Sequence, residues 1–224
     1  MFINKEKLLE IKKYKLLGIG TEAHCYINNN NVYKIYDFSL RERLSCLGYE
    51  SNLIAFPQEE FRNFIGHLMG YRMNYMNGSY FDKGFNQNTN LEELRNAYLE
   101  LLNELNIVCP NINTLDMAFK HNMLFDGKHF YVIDTDRWIK WGRKYDSKFR
   151  LNKTLLKAFK KSILISNYKV LKTNPELDSL IDEIRNPFSL NELDLMIDFI
   201  KEYYIKIYGF EPKNISDINK VIIK

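Results

Sequence analysis

Residues 16–36 read Leu-Leu-Gly-Ile-Gly-Thr-Glu-Ala-His-Cys-Tyr-Ile-Asn-Asn-Asn-Asn-Val-Tyr-Lys-Ile-Tyr. The pair Leu16-Leu17 leads into Gly18 and Gly20, and apolar residues return at Cys25, Ile27, Val32 and Ile35. That pattern reads as short strands, and Asn28 to Asn31 between the last of them is a turn signal, because Asn tolerates left-handed backbone angles. Glycines at this spacing after a strand leave backbone amides open to a polyphosphate; two glycines also make an ordinary turn. Lys34 then lies on the next strand with apolar neighbours. A strand lysine is ordinarily a solvated edge residue. Facing inward beneath a glycine loop, it would neutralise phosphate charge and need an anionic partner to hold it. Leu40, Leu44 and Leu47 have helical spacing, and Glu42 on that expected helix is the partner this reading favours, with Glu50 as its competitor.

Working outward, two more strands are expected around Ile54–Phe56 and Ile65–Tyr75, with Gly78 closing the region. From Leu91 the period changes. Apolar residues recur at Leu91, Leu94, Tyr98, Leu101, Leu102 and Leu105, an amphipathic helix that stops before Pro110. Asp126-Gly127 between Met123–Phe125 and Phe130–Ile133 predicts a hairpin. From about Lys148 onward the chain reads as helices broken near Pro175, Pro187 and Pro212, with a helix start at Asn186-Pro187 and Ser189. The expected architecture is α+β, with a β-rich N-terminal part joined to a helical C-terminal part near residues 76–90.

The composition agrees with a folded chain. It has 224 residues, 46% of them hydrophobic and 14% aromatic, which is enough for a core and too much for disorder. Three cysteines, Cys25, Cys46 and Cys109, form no CxxC pair, and the four histidines form no HExxH pair, so a disulfide framework, zinc ribbon or histidine metal site is not expected. No apolar run approaches a bilayer span and the N-terminal stretch has no signal-peptide core, so a cytoplasmic location is expected. A net charge of +4 does not by itself imply nucleic acid.

A second constellation lies in the expected hairpin. Asn122 precedes its first strand and Asp134 follows its second, so the two come near each other at its open end. A carboxylate and an amide oxygen suit Mg²⁺, which prefers oxygen ligands and shares its other positions with phosphate and water; an Asp at a strand end also caps turns. Asp116, in the preceding loop, is a candidate base or hydroxyl-orienting group.

The order of these motifs resembles the protein-kinase-like superfamily: a glycine loop, a strand lysine, a helix glutamate, a hinge, a loop with Asp and Asn, and a metal-binding Asp. The matching residues are Gly18-Ile-Gly20-Thr-Glu-Ala23, Lys34, Glu42, Met73–Gly78, Asp116 with Asn122, and Asp134-Thr-Asp136, an ordered resemblance over about residues 14–140. It implies a two-lobed fold, with residues 1–78 as a β-rich lobe carrying one helix and 79–224 as a reduced helical lobe. It also implies ATP and Mg²⁺ as cofactors. Met73 would be the gatekeeper, the backbone of Asn74, Tyr75 and Met76 would meet adenine, and Cys25 and Val32 would roof the pocket. Lys34 would grip the phosphates and Glu42 would hold Lys34; Asn122 and Asp134 would hold Mg²⁺, and Asp116 would position the acceptor hydroxyl.

The departures are specific. Ala23 stands for the third glycine, and Thr114-Leu115 stands where the family has His-Arg. The Asp116-to-Asn122 spacing is one residue longer than usual, and Asp134-Thr-Asp136 loses the family's Phe-Gly. The missing arginine removes the docking point for a phosphorylated activation loop. Twelve basic residues between Arg137 and Lys172, with Asp146 the only acidic one, read either as a solvated helix face or as a surface for an acidic or phosphorylated acceptor, with RNA or an anionic membrane surface as further alternatives. The expected activity is phosphotransfer from Mg-ATP to a hydroxyl acceptor, a protein Ser/Thr first and a small molecule of the aminoglycoside or choline kinase type second. A pseudokinase serving as a binding module is the alternative.

Overall fold

The computed structural model describes residues 3, 5–42, 44–110, 112–114, 117, 120–140, 147–164 and 192–221. The elements in chain order are α1 (Lys5–Ile11), β1 (Lys15–Ile19), β2 (Ala23–Asn28), β3 (Asn31–Leu40), β4 (Pro57–Arg62), β5 (Leu68–Asn74), α2 (Leu91–Val108) and β6 (Ile112–Asn113). A 3-10 turn (Lys120–Asn122) follows, then β7 (Met123–Phe125), β8 (Phe130–Val132), β9 (Ile139–Lys140), α3 (Ser147–Leu164), α4 (Leu193–Tyr208) and α5 (Ile215–Val221).

The chain divides into two compact units. The first comprises Met1–Asn77, Ile107–Asp116 and Tyr131–Tyr145. The second comprises Gly78–Asn106, Met117–Phe130 and Asp146–Lys224. Residues 107–116 and 131–145 belong to the first unit, so it is discontinuous in sequence.

The first unit is built on a five-stranded antiparallel sheet in the order β1-β2-β3-β5-β4. Its central strand, β3, shows the period-2 alternation that gives a sheet two different faces. Tyr33 and Ile35 point to one face, where Tyr26, Phe61 and Met69 join them and Ile3, Leu8 and Ile11 cover them. The helix α1 is therefore the lid of this face; its few apolar positions, spread among lysines and glutamates, make no pattern long enough to read from sequence. Val32, Lys34 and Tyr36 point to the other face. Cys25 and Tyr71 flank Lys34 on the neighbouring strands, and Met73 lies across from Val32. The hairpin between β2 and β3 turns at Asn29, whose φ of 53° is left-handed, as the asparagine run predicts.

Two expectations in this unit need correction. Among the described residues 40–42 and 44–47 no helix forms: β3 runs on to Leu40, which pairs with Leu68, and a turn follows before Gly48 at φ 78°. Eight residues with three apolar positions are too few to hold a helix against continued strand pairing. Leu44 and Cys46 are buried in irregular chain instead, so the helix of this unit is α1. The second correction concerns strands. Ile54 makes only an isolated parallel bridge to Val132, and the true strand is β4, just beyond it. Proline at its first position and the charges Glu59, Glu60 and Arg62 obscured it, yet they suit a sheet edge, where the outer backbone faces solvent.

In the second unit α2 spans the predicted residues and buries Leu91, Leu94, Ala97, Tyr98, Leu101 and Leu105. Asn90 caps it, its side-chain oxygen accepting the amides of Glu92 and Glu93. The Asp126-Gly127 hairpin joins β7 to β8, with the Asp126 carboxylate accepting the amides of Lys128 and His129. Phe81, Phe85, Phe125 and Phe130 pack ring against ring. The hydroxyl of buried Ser162, on α3, accepts the Phe85 amide at 2.6 Å and donates to the Ala158 carbonyl. Pro212 does fall between two helices, α4 and α5, whereas the expected breaks at Pro175 and Pro187 and the start at Ser189 lie outside the described residues. Among the described residues no helix is long and apolar enough to cross a membrane.

Candidate functional site

Lys34 enters the site from the middle of the sheet. Its side chain is 13% exposed, too little for water to hold the ammonium, so the fold must supply counter-charge. That charge comes from the loop after β8: the ammonium pairs with Asp134 and, at 2.8 Å, with Asp136. The Tyr36 hydroxyl, two residues along β3, donates to the same Asp136 oxygen at 2.5 Å. The rings of Tyr36 and Tyr71 lie 5.7 and 5.8 Å from the ammonium, within cation–π range.

The loop is held by the backbone around it. Val132 donates its amide to the Leu53 carbonyl and accepts the amide of Ala55, both at 2.8 Å. Thr135, 1% exposed, donates its hydroxyl to the Ala55 carbonyl. Buried Trp138 packs edge-on against Phe56. Asp134 itself sits at φ 62°. Asp adopts this left-handed region more readily than most residues, but still at a cost that the surrounding contacts must meet.

The two carboxylates differ. Asp136 is 8% exposed and Asp134 41%. Burial and the neighbouring Asp136 push Asp134 above the usual carboxylate range, against the pull of Lys34. Burial works on Asp136 in the same sense, but Lys34 and the hydrogen bonds from Lys34 and Tyr36 outweigh it and hold Asp136 below that range. For Lys34, burial disfavours the ammonium, yet Asp136 and Asp134 more than offset it and raise the pKa. Burial, then Asp136, raises Tyr36, and burial pushes the Cys25 thiol up to about 11, so Cys25 is a neutral part of the wall.

Lys34 and Asp134, singled out separately in the sequence, thus meet directly. Glu42 does not join them: it is exposed, in chain that is not helical, and Glu50 is exposed too. Asp136 and Tyr36 are the partners that the sequence reading missed. The second carboxylate of Asp134-Thr-Asp136 was the signal, but local spacing cannot reveal a pairing 102 residues away.

Cys25, Val32 and Met73 share the Lys34 face of the sheet, and Val32 and Met73 are buried. Asn74 ends β5 exposed, Tyr75 donates its amide to the Asn30 carbonyl, and Met76 is buried. Gly20 and Ala23 close the β1–β2 turn through a 2.8 Å backbone hydrogen bond. Gly18 has neither a positive φ nor a neighbour within 4 Å of where a Cβ would lie, so packing does not explain its lack of a side chain. Asn122, buried, ends the 3-10 turn before β7 in the second unit. Asp116 lies outside the described residues.

Two carboxylates against one ammonium leave an excess negative charge. Among the described residues no group of three or more His, Cys, Asp or Glu side chains is placed to hold a metal ion, so a cation here would have two aspartates from the chain and would take its other ligands from phosphate and water. Gly18 lies two strands from Lys34, each of them paired with Cys25 on the strand between.

No protein-family profile matches the chain, and no curated protein sequence matches it. Solved structures do. The pseudokinase DRIK1 (drought responsive inactive kinase 1), solved bound to ENMD-2076, matches all of this chain over 89% of its own, with a TM-score of 0.51 and 9% identity. The apo GRMZM2G135359 pseudokinase matches with the same coverage and TM-score at 10% identity. At such identities the likeness concerns the fold alone: the chain has a protein-kinase-like fold.

Proposed function

We propose that this protein is a phosphotransferase that uses ATP and Mg²⁺ and acts on a hydroxyl acceptor, the Ser or Thr of a protein being the first acceptor class. The observation that carries this reading is Lys34 held between Asp134 and Asp136 on one face of the sheet, with the unhindered backbone of Gly18 two strands away, across Cys25. When bound, Mg-ATP supplies the transferable phosphoryl group and the divalent charge that offsets its anionic oxygens. The chain's own residues then have separate tasks. Lys34 neutralises phosphate charge, Asp134 offers a carboxylate oxygen to the cation, and Cys25, Val32 and Met73 provide an apolar surface for a base. The acceptor is expected to be acidic, since α3 brings Lys148, Arg150, Lys153, Lys157 and Lys161 into the second unit.

A second reading, a pseudokinase that binds nucleotide without transfer, is favoured by Glu42 standing away from Lys34 and by Thr114 occupying the position before Leu115 where the family carries His-Arg. The likeness in fold to two pseudokinases points the same way. Incubation with Mg²⁺ and γ-labelled ATP, alone and with an acidic Ser/Thr protein or an aminoglycoside, separates the readings. Transfer that Lys34→Ala and Asp134→Ala each abolish supports the enzyme. Thermal stabilisation by ATP without transfer supports the module, and no binding at all overturns both.

A further inference from the structure

We propose that Asp136, locked by Tyr36, is the positioning residue for Lys34, and that this division of labour frees Asp134 to face the ligand. The inference rests on the nucleotide-binding reading for its purpose, but its geometry stands without it. Asp136 and Asp134 both touch the Lys34 ammonium, yet their surroundings assign them different work. Asp136 has the less exposed side chain, and a second donor, the Tyr36 hydroxyl, fixes the oxygen that Lys34 uses. Lys34 and Tyr36 both project from the same side of β3, so the lysine and the clamp that sets its counter-ion move as one piece of backbone. The Tyr36 hydroxyl goes to Asp136 and not to Asp134, whose side chain is far more exposed and which sits at a left-handed φ.

The role that the sequence pattern gives to a glutamate on a following helix is therefore filled from the other end of the unit. Such a glutamate would have to be carried on a helix against this face, and residues 40–42 and 44–47 form none. The aspartate instead arrives on a loop pinned by Thr135, whose side chain points the opposite way into the Ala55 carbonyl. Asp134-Thr-Asp136 thus presents two carboxylates to Lys34, one more exposed than the other, and between them a hydroxyl anchored on the Ala55 carbonyl.

Two measurements on the full chain test this. The first is the rate at which an amine-reactive acylating reagent modifies Lys34, followed by mass spectrometry, with no nucleotide present. Asp136→Asn is expected to speed modification of Lys34 by about tenfold, the scale of one lost charge-assisted hydrogen bond, and Tyr36→Phe to speed it less. Asp136→Glu is expected to restore part of the protection. Unchanged Lys34 modification in both Asp136→Asn and Tyr36→Phe overturns the proposal, as does release of Lys34 by Glu42→Gln instead. Should Asp136→Asn fail to fold, Tyr36→Phe alone decides: faster modification supports the clamp, and an unchanged rate overturns it.

The second measurement is ATP affinity by calorimetry, with and without Mg²⁺. Asp136→Asn is expected to weaken binding about tenfold while keeping its Mg²⁺ dependence, and Asp134→Asn to lose that dependence. The reverse assignment overturns the proposal. Protection of Lys34 that follows Asp136 in a protein that binds no ATP would sustain the positioning role and sink the proposed function, so the two failures are distinguishable.

Discussion

The hydroxyl of Thr135 donates to the backbone carbonyl of Ala55 across 80 residues of chain, at 2.9 Å and out of reach of water. It is the bond that fixes the loop between the two aspartates to the segment beside β4. Replacing it with Val keeps the volume and leaves that carbonyl with one acceptor site unmet. Thr135→Val should cost about 1–2 kcal/mol in a urea titration, and Thr135→Ser, which keeps the donor, less. If Val were neutral, the loop would be held by packing alone.

Removing the ammonium tests the charge balance. Lys34→Met leaves Asp134 and Asp136 facing each other in a poorly hydrated place, and about 3 kcal/mol of stability should be lost at pH 7–8. The pH dependence carries the sign. In the wild type Asp136 is held below its unfolded value, so its contribution is complete above that value and lost only as pH falls through the folded one. Without Lys34 both carboxyls rise, the folded state takes up protons more readily than the unfolded one, and the deficit should shrink as pH drops toward 5. A deficit independent of pH would mean that packing of the lysine stem dominates.

Two glycines should behave oppositely. A Cβ on Gly70, in β5, would overlap the backbone carbonyl of Lys34 and press on Ile35, so Gly70→Ala should destabilise by about 2–4 kcal/mol and disturb the site. A Cβ on Gly18 meets nothing, and Gly18→Ala should leave the melting temperature within a degree or two while lowering ATP affinity. Thermal melting and calorimetry on the same two variants read both outcomes.

The second unit has its own anchor in Ser162. Ser162→Ala strips the Phe85 amide of its acceptor, at a place where Gly84, at φ 103°, already brings the backbone against Ser162. A loss of about 1–3 kcal/mol is expected, together with faster hydrogen exchange at the Phe85 amide.

How much of this could be read from the chain depends on how local its cause is. The bounds of α2 were legible because eighteen residues keep one apolar stripe, and the two hairpin turns because Asn and Asp-Gly encode their own backbone angles. The seven residues of α1 carry too few repeats to be read alone; they are helical because Leu8 and Ile11 find Tyr26, Ile35 and Phe61. The opposite error occurred at 40–47, where a helical period was outweighed by pairing of Leu40 with Leu68. Within the site, Lys34 announced that it needed a counter-ion but not which one. Glu42 is eight residues away and Asp136 a hundred and two, and only the folded sheet makes the distant one near.

Because the first unit is discontinuous, its β-sheet emerges from the ribosome long before it is whole. After residue 77 has been made, Lys34 has no carboxylate, Ile54 no Val132 and Phe56 no Trp138; all three arrive only with residues 131–145. A fragment ending at residue 78 should accordingly stay open and prone to aggregate, whereas one extended through residue 145 includes Asp134, Asp136, Val132 and Trp138. The lysine's counter-ions act in this sense as a completion signal: the sheet closes over its charge only once more than half of the protein exists.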